Sequence, residues 1–352
     1  MRFVIIGNSA AGVHAAQELR NADKAAQITI VSGEKDMAYS RCLISRFLDG
    51  RLKPDGLYFK TRNFYHNYNI KPLLGKTVSS LNRQAKEVIL ASGEKLAYDK
   101  LLLAVGASPI RPKVPGLELS GIFNFYSLED TRRIIKYIKD KSAKEAVVVG
   151  AGFVGLEAAY ALSKAGINVT VVERCAQILP AQFDHISSGL IREDLEGLGI
   201  EVILDESLTS VNGESAVESV TIGEDTDIAC SLVIFASGVR PNTLLAQEAK
   251  LNTAKGIAVD EFLKTNDPDI FAAGDCIEIE DLATGRRQPS ATWFNAVLQG
   301  KFAAGNMLGQ NKRYSGGIGI QNSVQFHRLA AISFGMSQIT DEDLDYEVIS
   351  HY

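Results

Sequence analysis

The sequence predicts an α/β protein built on two parallel-sheet domains, and three observations carry that expectation. At 352 residues the chain exceeds what a single hydrophobic core supports. One local pattern, an apolar strand running into a glycine turn and then a helix-spaced segment, occurs at the start of the chain and again near residue 150. With 46% hydrophobic and 22% charged residues, the composition is that of an ordinary globular protein.

Taking the elements in order, residues 2 to 6, RFVII, read as a buried parallel strand. Gly7, Asn8, Ser9, Ala10, Ala11 and Gly12 form a tight turn, and VHAAQELRNA after it has the apolar spacing of a helix. The next strand, QITIVSGE, ends near Glu34, at the offset of about 20 residues where an acid binds a ribose hydroxyl. In such a unit the first glycine permits the turn and small residues let the backbone approach a pyrophosphate. The helix N-terminus supplies oriented N–H donors. Ser9 stands in place of the middle glycine and is small enough to keep that approach open. Gly7, Ser9, Ala10, Ala11, Gly12 and Glu34 are thus candidate ligands of one dinucleotide.

The second unit is more complete. AVVV, residues 146 to 149, leads into Gly150, Ala151, Gly152, Phe153, Val154 and Gly155, a full GxGxxG. The helix LEAAYALSKAG and the strand INVTVVE follow, the latter ending at Glu173, again about 20 residues on. Two cradles, each with its own ribose carboxylate, imply two dinucleotides. The expected fold class is therefore α/β with two Rossmann-like dinucleotide-binding domains. Glu173 favours NADH, because a carboxylate repels a 2′-phosphate, while Arg174 beside it leaves NADPH possible.

Bulk properties exclude several classes. A formal charge of −5, with Lys and Arg scattered along the chain, offers no footprint for nucleic acid. The four cysteines, Cys42, Cys175, Cys230 and Cys276, form neither a CxxC nor a CxxxxC pair, so neither a disulfide framework nor a metal site is expected. Reduced thiols fit a cytoplasmic location. The opening residues leave no room for a signal peptide, and no apolar run reaches the ~18 residues of a membrane span.

Four segments in order then carry a resemblance. LLLAVGASP (101–109), the fingerprint at 150–155, LVIFASGVRPN (232–242) and TNDPDIFAAGD (265–275) together resemble the FAD-dependent pyridine nucleotide-disulfide oxidoreductase superfamily. Within it, the similarity is to the branch of NADH oxidases, CoA-disulfide reductases, rubredoxin and ferredoxin reductases and the flavin part of NADH nitrite reductases. The resemblance implies an FAD domain at 1–112 and 244–316, interrupted by an NAD(P)H domain at 113–243. SPIRPKVPG, with three of the nine prolines, reads as the linker and GVRPN as the return crossing. Residues 317–352 correspond only to the start of a C-terminal interface domain, an incomplete α+β fragment, which leaves a homodimer or a subunit of a larger complex as the expected assemblies.

The resemblance further implies that Val78, Ala104, Gly106, Gly274, Asp275 and Trp293 join the FAD ligands, with Asp275 on the ribityl chain. Gly238 joins the nicotinamide nucleotide's ligands. Trp293 opens the helix-like segment 292–309, whose N-terminus is expected at the flavin pyrimidine. The implied chemistry is hydride transfer from nicotinamide to flavin, with electrons passing on to a redox-protein acceptor or a small disulfide.

Cys42 fits two registers. In one it is a single redox cysteine beside the flavin, with Leu43 and Ser45 replacing the usual Gly and Pro. In the other, Arg41 to Arg46 follow the ferredoxin-reductase pattern, Cys42 occupies a proline position, and Arg46 is a fixed positive charge near the flavin. Arg41 is placed near the FAD phosphates in that register, and Glu157, just inside the second helix, near the nicotinamide. Cys42, Arg46 and Glu157 are the candidate catalytic residues. Peroxidase chemistry is disfavoured, because Ala10 stands where the peroxidases carry a histidine, and His14 reads as an ordinary helix residue. A dithiol mechanism is excluded by the missing CxxxxC pair.

Overall fold

The protein, seen in a computed structural model, is described over residues 1–289, 291–317 and 320–335. It divides into two compact units. The first comprises Met1–Phe47, Leu52–Ser108 and Val239–Ile318, the second Leu48–Arg51, Pro109–Gly238 and Gly319–Tyr352. The two long crossings thus fall inside the segments read as linker and return crossing, SPIRPKVPG and GVRPN, a few residues before the boundaries that the resemblance implied.

In the first unit the central sheet has five strands in the order Ile270–Ala272, Lys100–Leu103, Arg2–Ile6, Gln27–Ser32 and Ile70–Leu74, all parallel. Their near-continuous apolar runs, Phe3 to Ile6 and Leu101 to Leu103 among them, are buried, as befits strands covered on both faces. The helix Ala10–Ala22 begins within the glycine turn, earlier than its apolar spacing suggested, so the turn's last residues already supply its first N–H groups. It packs on the helix Trp293–Met307 at close range: a Cβ on Gly300 would lie 2.2 Å from the Ala11 carbonyl oxygen. The unit also holds a three-stranded antiparallel meander, Val78–Asn82, Glu87–Leu90 and Lys95–Ala97, and a small mixed sheet of Ile257–Ala258, Ile277–Glu280 and Arg287–Pro289.

The second unit repeats the plan. Its parallel sheet runs Glu201–Ile203, Asn168–Val172, Glu145–Val149, Leu232–Phe235 and Ile122–Asn124. A second antiparallel meander, Leu208–Asn212, Ser219–Ile222 and Thr226–Ala229, accompanies it. In both sheets the strand before the glycine turn lies centrally, between the strand that follows its helix and a later returning strand. Strand order reverses there, and ligands of open α/β sheets bind in the crevice at that point.

The C-terminal strands Ile320–Gln325 and Ala330–Gly335 form an antiparallel hairpin belonging to the second unit. Asp194 accepts hydrogen bonds from the backbone N–H groups of His327, Arg328 and Leu329 at 3.2 to 3.3 Å, and the Phe326 ring meets that of Tyr160 at 6.0 Å. The rest of the expected interface fragment, residues 318–319 and 336–352, lies outside the described residues. Among the described residues no helix is long and apolar enough to cross a membrane.

Candidate functional site

The first cradle depends on backbone closeness. Gly7 has φ of +125°, and a Cβ there would lie 1.9 Å from the Ala104 carbonyl oxygen; a Cβ on Gly12 would lie 2.0 Å from the Gly7 oxygen. Neither contact admits a side chain, so the strand, turn and helix are drawn together in the manner a pyrophosphate cradle requires. Ser9 is the helix N-cap, and its hydroxyl forms no capping hydrogen bond. Gly274, at φ +86°, donates its N–H to Gln299 Oε1 at 2.7 Å, which ties the loop before Asp275 to the helix Trp293–Met307.

Glu34, Arg41 and Asp275 converge on this cradle. Glu34 accepts a hydrogen bond from the Tyr39 hydroxyl at 2.6 Å and is ion-paired with Arg41, which also donates to Tyr39 at 3.0 Å. Burial pushes the Asp275 carboxyl up to about 6, with the Arg41 guanidinium pulling the other way. Its own backbone N–H is hydrogen-bonded to that carboxyl, which has lone pairs left to accept from a hydroxyl. Cys42 lies exposed in the single turn Arg41–Leu43, followed by the short helix Ile44–Leu48, where Ser45 is buried and Arg46 exposed. Val78 is half-buried on its strand, Ala104 is buried, Gly106 turns at φ +65°, and Trp293 sits edge-on to Phe59 at 5.0 Å.

The second cradle is built alike. Cβ atoms on Gly150 and Gly155 would lie 2.6 Å from the Ala236 oxygen and 1.9 Å from the Gly150 oxygen, whereas one on Gly152 would meet nothing within 4 Å. The outer two glycines are therefore demanded by the fold, and the middle one opens onto the space a ligand backbone would fill. Phe153 and Val154 begin the helix Phe153–Lys164, with Val154 48% exposed at its mouth. Glu173 is buried, and its two carboxylate oxygens accept from Ala151 N at 2.7 Å and Cys175 N at 3.0 Å. It thus braces the glycine loop and still offers each oxygen's second lone pair. Glu157 is half-buried on the helix, in the electrostatic reach of Arg51, whose charge is held chiefly by its hydrogen bond to Asp49. Gly238 is exposed at φ +97°.

The structure thus gathers Gly7, Ser9, Glu34, Arg41, Gly274 and Asp275 in the first unit and Gly150 to Gly155 with Glu173 in the second. Cys42 and Arg46 belong to the first unit and Glu157 to the second. Sequence reasoning missed Tyr39 and Gln299, which join residues by contacts that no motif spells out. The other thiols are protonated groups: burial pushes Cys230 and Cys276 up to about 12 and raises Cys175 as well.

Comparison with known proteins agrees with this geometry. The chain matches the pyridine nucleotide-disulphide oxidoreductase family over residues 1–300. It is 38% identical over 322 residues to the NADH oxidase of Methanocaldococcus jannaschii, spanning 89% of this chain and 71% of that one. It is 33% identical over 311 residues to the rubredoxin-NAD(+) reductase of Pseudomonas putida, spanning 88% and 80%. The structure of an NAD-dependent persulfide reductase from A. fulgidus superposes with a TM-score of 0.88 at 30% identity, covering 95% of this chain and 64%, less than two thirds, of the other. The chain belongs to the pyridine nucleotide-disulphide oxidoreductase family, as an FAD-dependent oxidoreductase with a nicotinamide nucleotide as its second cofactor.

Proposed function

We propose that the chain takes electrons from NADH through FAD and delivers them to a redox-protein acceptor of the rubredoxin or iron–sulfur kind. FAD, when bound, supplies the capacity to accept a hydride and release electrons singly. The remaining work falls to the chain's own residues. The first cradle, Gly7 to Gly12, would hold the FAD pyrophosphate, Glu34 a ribose hydroxyl and Asp275 a hydroxyl of the ribityl chain. Arg46 would contribute a fixed positive charge. In the second unit, Gly150 to Gly155 would hold the pyrophosphate of NADH and Glu173 its ribose, with Glu157 near the nicotinamide.

The observation that carries this reading is the thiol inventory. None of the four cysteines is disulfide-bonded, and three of them have their thiols raised by burial, which argues against a dithiol relay between flavin and acceptor. The similarity to a rubredoxin-NAD(+) reductase supports the acceptor class. Anaerobic titration of the FAD-loaded protein with NADH tests it: full bleaching at about two electron equivalents is expected for flavin alone. Rubredoxin should then reoxidise the protein rapidly, and Cys42→Ser should leave that rate unchanged. A requirement for further equivalents, or loss of turnover with every acceptor in Cys42→Ser, rejects the reading.

A second reading has its own observation. Cys42 is exposed, with Arg41 and Arg46 close in the sequence, a setting that favours thiolate chemistry on a small disulfide, a persulfide or oxygen. The similarity to a persulfide reductase and an NADH oxidase supports it. Under this reading Cys42→Ser abolishes turnover with those acceptors. NADH is the proposed donor because of Glu173. Glu173→Ala should lower the NADH to NADPH ratio of kcat/KM by at least about tenfold, or about 1.4 kcal/mol.

A further inference from the structure

Asn8 stands inside the first glycine turn, yet its side chain is engaged within the protein. Its Oδ1 accepts from the Tyr65 hydroxyl at 2.7 Å, and its Nδ2 donates to the Asp36 carbonyl oxygen at 3.3 Å. The same Tyr65 hydroxyl accepts from the Ala38 backbone N–H at 3.3 Å. One amide and one phenol thus join the turn to two points of the segment from Glu34 to Arg41. The segment has other ties, but these lead elsewhere: the Glu34 carbonyl oxygen accepts from Gly75 N–H at 2.9 Å, Ser40 N–H donates to the Leu57 oxygen at 2.9 Å, and Tyr39 bridges to Tyr58.

The distance from segment to turn matters because the segment bears two of the groups that converge on the cradle. Tyr39, next to Ala38, donates its hydroxyl to Glu34 at 2.6 Å, and Glu34 is ion-paired with Arg41. A slip of the segment therefore moves carboxylate and guanidinium together relative to the N–H groups of the turn, and about 1 Å is enough to spoil a binding geometry. Tyr65 is suited to prevent it. Its side chain is buried, with the ring against that of Phe64 at 5.3 Å. Burial raises its pKa, so the hydroxyl keeps the proton it donates to Asn8. Tyr65 lies on the short helix Phe64–Asn67, far along the chain from the turn, where no dinucleotide motif reaches it.

We propose that Tyr65, acting through Asn8, is a positioning residue for the adenosine half of FAD, its hydroxyl setting the Glu34–Arg41 segment against the glycine turn. This role rests on Glu34 holding the ribose hydroxyl, as proposed above. Tyr65→Phe removes one oxygen and keeps the ring. FAD binding to flavin-free protein, followed by flavin fluorescence, should weaken about tenfold, the effect of losing two uncharged hydrogen bonds. ADP, which carries adenosine and pyrophosphate without a flavin, is the second probe, added to displace FAD. Its affinity should fall by the same factor in Tyr65→Phe, whereas Asp275→Asn should weaken FAD and leave ADP unchanged. Asn8→Ala breaks the link from its other end and should match Tyr65→Phe, and the double variant should bind no more weakly than either. The role is overturned if Tyr65→Phe binds FAD within about twofold of the unsubstituted protein, if its loss appears with FAD and not with ADP, if ADP fails to displace FAD, or if the losses of the two single variants multiply. Glu34→Ala separates the two readings. Weaker ADP binding there, with none in Tyr65→Phe, overturns the role of Tyr65 alone; unchanged binding in Glu34→Ala removes the ribose assignment beneath it.

Discussion

A carboxyl group that burial disfavours as the anion loses its proton late, and Asp275 is such a group, at about 6 against an ordinary 3.8. Because its folded-state pKa is raised, its contribution to stability is fully present below about 3.8 and is lost as pH rises through about 6. The difference across that window is about 3 kcal/mol for flavin-free protein. Urea midpoints measured at pH 5 and pH 7.5 should show about half of this fall, about 1.4 kcal/mol, and Asp275→Asn should remove most of it. With FAD bound, a hydroxyl donating to the carboxylate should flatten the profile in the unsubstituted protein. An identical slope in Asp275→Asn would assign the pH dependence elsewhere. The glycines give a paired test at the same scale. Gly155→Ala places a methyl against the Gly150 oxygen and should cost about 3 kcal/mol or more. Gly152→Ala meets open space at a helix N-cap and should cost less than about 1 kcal/mol while raising the KM for NADH. Equal destabilisation by both would mean that the middle glycine serves the fold and not the ligand. That the turns, and the acids after them, could be read from the sequence follows from their locality: each spans a few residues whose types are fixed by sterics. Tyr39 on Glu34 and Gln299 on Gly274 were hidden because a hydroxyl or an amide in a helix has many uses, and only the folded chain selects one.

At the level of elements, the C-terminal end of the helix Ala10–Ala22 is anchored by a buried arginine. Arg20 donates to the carbonyl oxygens of Tyr68, Asp23, Lys24, Ala26 and Asn69 at 2.6 to 3.2 Å. The Arg20 side chain is itself buried and serves five backbone carbonyl oxygens, so the guanidinium joins helix, loop and the start of the strand Ile70–Leu74. Arg20→Met keeps the apolar stem and removes the donors. It should destabilise the protein by about 3 kcal/mol or more, measured by chemical unfolding. A loss below 1 kcal/mol, on the order of one exposed hydrogen bond, would show that water replaces the guanidinium. The sequence shows Arg20 only as a cation in the last turn of a helix, a common surface position, and nothing local signals its burial. The hairpin Ile320–Gln325 and Ala330–Gly335 is tied by the Asp194 carboxylate on three consecutive N–H groups, by the Phe326 ring against Tyr160, and by the Ser333 hydroxyl, which donates to the Gln182 carbonyl oxygen at 2.5 Å.

For the whole molecule, the physical point is that one sheet plan occurs twice, each time with its own core, its own glycine turn and its own acid at the end of the second strand. Each unit therefore contains the parts of a complete dinucleotide cradle, and the two nucleotides should protect different amides. Hydrogen exchange followed residue by residue separates them. FAD alone should slow exchange at Gly7 to Gly12 and at Gly274 and Asp275, because its phosphate and hydroxyl groups occupy the donors and hold the loops closed. NAD+ added to FAD-loaded protein should slow exchange at Gly150 to Gly155 and at Cys175, whose N–H is already turned toward Glu173. The expected signature is two non-overlapping sets of protected amides, one in each unit. Protection of the first cradle by NAD+ in flavin-free protein, or of the second by FAD, would show that the acids and turns do not discriminate. In that case the assignment of Glu34 to the flavin nucleotide and Glu173 to the nicotinamide nucleotide would fail, even though both cradles bind.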